Sequence, residues 1–123
     1  MQISTYQAGT DGRIRVVKVQ GEMDIGATGV DAFRARLDEL VEEGVRHVVL
    51  DLAEASYIVS RGFGQMLVAM TRLRARRGDL RVAAAHGPVW TAASTVGLDN
   101  ILKFYTTVQE AVASFEQELK QAQ

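Results

Sequence analysis

The stretch DLAEASYIVSRGFGQML, residues 51–67, contains the junction between a predicted strand and a predicted helix. It begins as the end of the apolar, β-branched run VRHVVLDL, residues 45–52, which is typical of a buried strand. It ends as the start of an amphipathic helix with Phe63 and Leu67 on one face. Ser60 lies where the strand gives way to the helix. A buried strand that leads straight into such a helix is the repeating unit of α/β folds.

Four other segments have the β-branched or alternating composition of strands. They are residues 3–7, 13–20, 80–85 and 101–105. The connection between the first two, AGTDG at residues 8–12, has the glycines and aspartate of a hairpin turn. We therefore expect the first two strands to form a hairpin, with the first strand at an edge of the sheet.

Four helices are predicted, three of them from apolar residues that recur every three to four positions and a short one from Pro88 at its start and Gly97 near its end. Thr28 and Thr107 each stand three residues before an acid, which is the spacing of a capping box at a helix start. Gly44 and Gly78 are typical of helix ends. Pro88 suits the first turn of a short third helix.

After the two opening strands, helices and strands alternate in the order α-β-α-β-α-β-α. This order predicts an α/β fold with a mixed, mostly parallel β-sheet of four to five strands and about four helices, because parallel strands need helical crossovers. We expect residues 1–123 to form a single domain. Six side chains are expected in its core: Phe33, Val49, Leu50, Leu67, Val82 and Phe115.

The composition is that of an ordinary globular protein, with 47% hydrophobic residues, 24% charged residues and a formal net charge of -1. This balance predicts no direct binding to nucleic acid and none to an anionic membrane. The chain has no cysteine, which excludes disulfides and thiolate metal sites. Its first residues lack the segments of a signal peptide and no apolar run is long enough to span a bilayer, so we expect a cytoplasmic location.

The sequence predicts no catalytic residue, no metal ligand and no cofactor. His47 and His86 stand alone, without the paired spacing of a metal site. The glycines of residues 51–67 resemble part of a phosphate loop, but no Gly-Lys-Ser/Thr follows them. Ile58 replaces the first glycine that a Gly-x-Ser-x-Gly elbow around Ser60 would need. We therefore expect a protein that is not an enzyme.

The residues alone leave two interpretations of Ser60 open. A serine just before a helix is commonly an N-cap, whose oxygen accepts a hydrogen bond from a backbone N–H in the first turn. The same helix end has free N–H groups and a partial positive charge, which would stabilise a phosphate attached to the hydroxyl. Ser60 is therefore either a structural cap or a site of phosphorylation.

Four segments carry a family resemblance: GEMD at residues 21–24, HVVLDL at 47–52, SYIVSRGFGQML at 56–67 and GLDNIL at 97–102. In order and spacing they are similar to STAS domains, and most similar to bacterial anti-sigma factor antagonists. The resemblance covers nearly the whole chain and implies a STAS-like fold. It also implies two partners, an anti-sigma factor with a histidine-kinase-like ATPase fold that acts as a serine kinase, and a phosphatase that reverses its action.

The same resemblance implies a partner-binding site at Asp24, Ser60, Arg61, Gly62 and Phe63. Ser60 matches the family's phosphoacceptor, and phosphorylation there would end binding of the anti-sigma factor. Gly62 matches the glycine that lets the partner's backbone approach closely. Asp24 matches the acid of the family's GE-x-D turn, although an aspartate after a strand is also an ordinary turn residue.

Two positions depart from the family pattern. Val59 stands where the family has an acid, and Arg61 where it has a small polar residue. Arg61 could pair with a phosphate on Ser60, contact an acidic partner, or remain a solvated arginine. The family's switch therefore needs a direct test in this chain.

The resemblance thus predicts an anti-sigma factor antagonist, a regulatory binding module switched off by phosphorylation at Ser60. Two other STAS functions remain open, a scaffold subunit of a stress-signalling assembly and an accessory domain of a lipid-transporting ABC system. An enzyme is the least favoured alternative because no acid–base or nucleophile arrangement is visible. Whether the chain forms a homodimer is left open.

Overall fold

In a computed structural model, which describes residues 1–122, five strands form one sheet in the order β1-β2-β3-β4-β5. β1 pairs antiparallel with β2, and the other neighbours are parallel. The predicted α/β fold with a mixed, mostly parallel sheet is confirmed. The strands are β1 (Gln2–Ala8), β2 (Ile14–Met23), β3 (His47–Ile58), β4 (Asp79–Ala83) and β5 (Phe104–Tyr105).

The helices also follow the predicted order. They are α1 (Val30–Glu42), α2 (Ser60–Arg74), α3 (Gly87–Thr95) and α4 (Val108–Gln121), with a short 3-10 helix at Leu98–Asn100 before β5. Within residues 1–122, no helix combines the length and the apolar character needed to cross a bilayer.

Helices cover the sheet on both faces. The larger core cluster includes residues of α1, α2 and α3, and a smaller cluster lies under α4. Successive residues of β3 serve the two clusters in turn, so that Leu50 belongs to the larger and Val49 to the smaller. Five of the six predicted core side chains are fully buried, but Leu67 is only partly buried and packs at the rim of the larger cluster.

One of the two predicted N-terminal caps is present in the structure, that of α4. The Thr107 hydroxyl accepts a hydrogen bond from the Glu110 N–H at 3.1 Å, which confirms the cap of α4. Thr28 makes no such bond, because α1 begins one residue later, after Gly29. At the other end of α1, Gly44 adopts a left-handed backbone with φ +90°, as a helix-ending glycine does.

The end of α2 differs from the prediction. The residue in the left-handed conformation is Arg77, with φ +65°, and not Gly78. Gly78 donates its N–H to the Leu73 carbonyl at 2.8 Å. A side chain at Gly78 would overlap the backbone of Arg46, so a glycine is needed here for close approach of two turns.

A buried arginine holds α4 against the sheet. The Arg81 side chain is 2% exposed and donates to both carboxylate oxygens of Glu118 at 2.7 Å. It also bonds to Asp79 at 3.2 Å and to the Ser114 hydroxyl at 2.7 Å. Its guanidinium lies 4.1 Å from the centroid of the Phe115 ring, a cation–π contact. The partners of Arg81 named here therefore lie either in its own strand, β4, or in α4.

Folding stability is expected to decrease when the pH falls below about 6.5, the ordinary pKa of histidine. Burial, and then the positive charges of Arg81 and Arg46, lower the pKa of His47 in the folded protein. The unfolded chain then binds a proton more tightly than the folded one. The stabilising contribution is complete above the unfolded pKa and is lost as the pH falls through the lower folded value. Urea denaturation at about pH 7.5 and 5.5 measures the effect.

His47→Gln is the matched variant for this prediction, because it cannot take up a proton in that range. The difference in unfolding free energy between the two pH values should be smaller in the variant than in the unaltered protein. An equal difference in both proteins would assign the pH dependence to other groups.

Candidate functional site

The carboxyl ends of β2 and β3 form one corner of the molecule. Met23 is paired with Ile58, the last residue of β3, so the two strands end side by side. The Val59 N–H donates to the Met23 carbonyl at 3.0 Å, and this bond holds the residue that follows β3 against the last residue of β2. The loop after β2 and the start of α2 are thereby brought to the same corner.

The loop after β2 is closed by its own backbone. The Val30 N–H donates to the carbonyl of Asp24 at 2.8 Å, and the Gly26 carbonyl accepts from Asp31 at 3.1 Å. A side chain at Gly29 would overlap the backbone of Asp24. These bonds satisfy the start of α1 without a side-chain cap, which explains why Thr28 does not serve as one. The side chain of Asp24 is left exposed.

Ser60 is the first helical residue of α2, and Val59 occupies the capping position in an extended conformation. The Ser60 hydroxyl makes no capping hydrogen bond, and the interpretation of Ser60 as a structural cap is therefore wrong. Within residues 1–122, this exposed hydroxyl has no hydrogen-bond partner at all. It is free for chemistry or for a contact with another molecule.

Free donors surround the hydroxyl. In the described part of the chain, the backbone N–H groups of Ser60 and Arg61 have no acceptor, as is usual in the first turn of a helix. The Arg61 side chain is exposed and forms no ion pair with any described residue. Unpaired N–H groups at a helix start, with an exposed arginine in the same turn, suit a negatively charged group such as a phosphate.

Gly62 and Phe63 point inward, which differs from the expectation that they edge the partner surface. Phe63 is 7% exposed and belongs to the larger core cluster. Gly62 is buried, and a Cβ atom there would lie 2.6 Å from Ile58 Cγ2 and 2.7 Å from Met23 Sδ. The absence of a side chain at Gly62 therefore lets α2 pack closely against the ends of β2 and β3. This close packing fixes the start of α2, where Ser60 lies.

Gly62→Ala is expected to destabilise the fold by about 1–3 kcal/mol, because the new methyl group overpacks the core against Ile58 and Met23. Gly64 provides the matched control, since it lies in the same helix and a Cβ atom there would meet nothing within 4 Å. Gly64→Ala is expected to stabilise the protein by about 0.5–1 kcal/mol. Urea denaturation of both variants measures the difference, and equal effects would contradict the close packing of Gly62.

The sequence interpretation missed three exposed apolar side chains around this corner. Ile25, in the loop after β2, is 66% exposed, and Tyr57, near the end of β3, is 46% exposed. Val68 is 52% exposed and lies two turns along α2 on the same helix face as Ser60. An apolar residue directly after Asp24, and a valine outside the apolar stripe of α2, were the available signals. Exposed apolar side chains around a polar centre are typical of protein-binding surfaces.

The titratable side chains show no metal site in the part of the chain that the structure describes. Within residues 1–122, no three histidine, cysteine, aspartate or glutamate side chains lie close enough to hold a metal ion. His86 is remote from the corner in the sequence and contacts the Ala53 carbonyl through Nε2 at 2.8 Å. The arrangement can present a hydroxyl, an acid and a guanidinium to another protein, and it can hold a phosphate.

The fold and this corner define a STAS domain. The model of the STAS domain family matches residues 5–111, and the chain belongs to that family, as the sequence resemblance predicted. It is similar to an anti-sigma F factor antagonist of Paenibacillus polymyxa, with 25% identity over 104 residues that cover 84% of this chain and 87% of the relative.

Two solved structures extend the comparison. An anti-sigma factor antagonist from Mycobacterium paratuberculosis superposes with a TM-score of 0.77 at 24% identity, over 92% of this chain and 93% of the other. The Bacillus cell fate determinant SpoIIAA in its phosphorylated form superposes with a TM-score of 0.68 at 19% identity, over 91% and 99%. Both likenesses confirm the STAS fold.

Proposed function

We propose that this protein is an anti-sigma factor antagonist whose switch is the Ser60 hydroxyl. The single observation that carries the proposal is the exposed, unbonded hydroxyl at the first residue of α2. The names of the P. polymyxa relative and of the structural neighbours support it. The partner is an anti-sigma factor of the histidine-kinase-like ATPase class, which binds the corner formed by Asp24, Ser60 and Arg61.

The switch is a phosphoryl transfer that the partner catalyses. The Ser60 Oγ attacks the γ-phosphorus of ATP, a new Oγ–P bond forms, and the bond from phosphorus to the β,γ-bridging oxygen breaks to release ADP. The hydroxyl proton goes to a base of the kinase. A phosphatase later hydrolyses the Oγ–P bond with water and restores the hydroxyl. That SpoIIAA is known in a phosphorylated form supports this cycle.

Arg61 affects the relative stability of the phosphorylated and unmodified states of Ser60. A guanidinium one residue from Ser60 can form charge-assisted bonds to a phosphate on the hydroxyl. Its positive charge is mildly unfavourable at the start of a helix, where the backbone already carries partial positive charge. A phosphate on Ser60 would remove that conflict, so Arg61 stabilises the modified state more than the unmodified one.

The direct test is to incubate the protein with its candidate anti-sigma factor and ATP, and to map the modified residue by mass spectrometry. Ser60 should carry the phosphate, and Ser60→Ala should abolish it. Ser56→Ala is the matched control, because Ser56 is an exposed serine four residues away on β3. Modification of Ser56 or Thr71 in place of Ser60, or no modification, would contradict the proposed switch.

A second measurement separates this function from the other STAS functions. Affinity capture from cells should recover a histidine-kinase-like ATPase. Binding of this protein to that ATPase should release the sigma factor. Recovery of a membrane ABC transporter in its place would contradict the proposal and favour the accessory role in lipid transport.

A further inference from the structure

A group of arginines lies at the end of the sheet opposite to Ser60. The turn before β3 and the turn before β4 meet there, because the Asp79 N–H donates to the Arg46 carbonyl at 2.9 Å. The absence of a side chain at Gly78 permits this approach and places Arg46 beside Arg77. We call the surface formed by Arg13, Arg46, Arg76 and Arg77 the basic cleft.

Two adjoining cavities form the basic cleft, with volumes of about 750 and 540 Å³. They share Gly44, Arg46 and Arg77 in their walls. Glu42 lines the first cavity and Glu43 the second. The four arginines therefore outnumber the carboxylates of the walls by two, and an excess of positive charge remains.

Some arginines near this end of the sheet form ion pairs and others do not. Arg72 pairs with Asp38 at 2.7 Å and Arg74 with Asp79 at 2.8 Å. Within residues 1–122, the guanidinium groups of Arg46 and Arg77 have neither an ion pair nor a hydrogen bond. These two unpaired groups are the ones that both cavities share.

The other charged groups of the cleft are partly engaged. Arg76 donates to the Val41 carbonyl at 3.1 Å, and Arg13 pairs with Asp11 at 2.6 Å. Glu43 lies 3.8 Å from Arg15, which draws that carboxylate toward β2. Within residues 1–122, Arg46 and Arg77 are therefore the arginines of the cleft without a bonding partner, and Glu42 is the carboxylate of its walls that no ion pair holds.

The backbone of Arg77 adds an independent observation. Its left-handed conformation, at φ +65°, is one that glycine or asparagine adopts far more easily. Turn chemistry alone does not select an arginine there.

The pKa of His47 is affected by the electrostatic potential of the basic cleft. It lines the second cavity, and within the described residues its buried Nδ1 atom has no hydrogen-bond partner. After burial, the charges of Arg81, Arg46 and Arg13 lower its pKa, against an opposing effect of Glu118. The ring therefore lies in a field that favours negative charge.

We propose that the basic cleft is a binding site for a multivalent phosphate anion, held by the guanidinium groups of Arg46 and Arg77. Guanidinium forks match phosphate oxygens in bidentate geometry. The walls carry no phenylalanine, tyrosine or tryptophan on which a base would stack, and few apolar side chains to bury those of a peptide. Phosphate groups are therefore what the cleft recognises.

The probe for the test is inorganic tripolyphosphate, titrated into the full chain in a calorimeter at low salt. The unaltered protein should bind it saturably. Arg46→Gln and Arg77→Gly should each weaken binding by about tenfold or more, the equivalent of one lost charge-assisted contact. Arg77→Gly also places glycine at a left-handed position, so the variant should fold at least as stably as the unaltered protein.

Arg34→Gln is the matched control, because it removes the same charge from an exposed site on α1, where the side chain is 63% exposed. Its affinity for tripolyphosphate should stay within about twofold of the unaltered protein. A hexaglutamate peptide serves as the second probe and should bind at least about tenfold more weakly. The proposal is overturned if tripolyphosphate does not bind, if the cleft variants bind it like Arg34→Gln, or if hexaglutamate binds equally well.

Discussion

Phosphorylation of Ser60 should weaken binding of the anti-sigma factor by about a hundredfold or more. The modification adds a charge of about -1.5 to -2 at the centre of the proposed contact surface. A partner that buried a neutral hydroxyl would have to desolvate that charge, and an incompletely paired buried charge costs several kcal/mol. Isothermal titration of both forms of the protein against the isolated anti-sigma factor measures the loss.

Substitutions at the same position separate charge from shape. Ser60→Asp should impair binding and Ser60→Ala should bind constitutively, because alanine is neutral and small. Arg61→Ser should make the phosphorylated form release its partner more completely, since the guanidinium that shields the phosphate is gone. Equal affinities of the phosphorylated and unmodified proteins would remove Ser60 from the interface and leave the corner without a switch.

Phe115→Ala should lower the free energy of unfolding by about 3 kcal/mol or more, because it leaves a cavity between α4 and the sheet. The ring is 1% exposed and packs against residues such as Ile14 and Val49. It also covers the buried guanidinium of Arg81, which would lose its cation–π contact. Urea denaturation with a fixed slope gives the difference.

Phe115→Leu separates the loss of volume from the loss of the aromatic face. Leucine keeps most of the buried apolar surface, so this variant should lose clearly less than Phe115→Ala. Val112→Ala, on the partly buried border of the same cluster, should also cost less. A loss below about 1 kcal/mol for Phe115→Ala would mean that α4 contributes little to the stability of the sheet.

Local chemistry predicted the order of the elements well. The helical spacing of apolar residues located α1, α2 and α4, and Thr107 was correctly predicted as a cap because its bond partner lies only three residues away. The length of β3 was underestimated. Its second half, AEASYI at residues 53–58, is not continuously apolar, and it is held in the sheet by pairing with Gly21–Met23 at the end of β2. That pairing is a long-range contact that no local pattern records.

The corner was predicted in part. The sequence placed Asp24 after one strand and Ser60 after another, and the family resemblance assigned both to one partner-binding site. The direction of side chains along α2 was less accessible. Gly62 and Phe63 face the core because α2 packs on the sheet there, with Gly62 against Met23 of β2 and Ile58 of β3. The failure of Thr28 as a cap likewise depends on a loop that closes through its own backbone.

The length of α2 separates the two surfaces of this protein. The helix begins at Ser60 and ends at Arg74, so about 22 Å of rigid backbone lies between the switch and the turn that holds Arg77. That distance is more than twice the Debye length of about 8 Å at physiological ionic strength, so a charge gained at one end is largely screened at the other. The free energies of binding at the two ends should then add without cooperativity. The proposed phosphate site in the basic cleft and the proposed anti-sigma factor surface at Ser60 should therefore accept their ligands in one molecule at the same time.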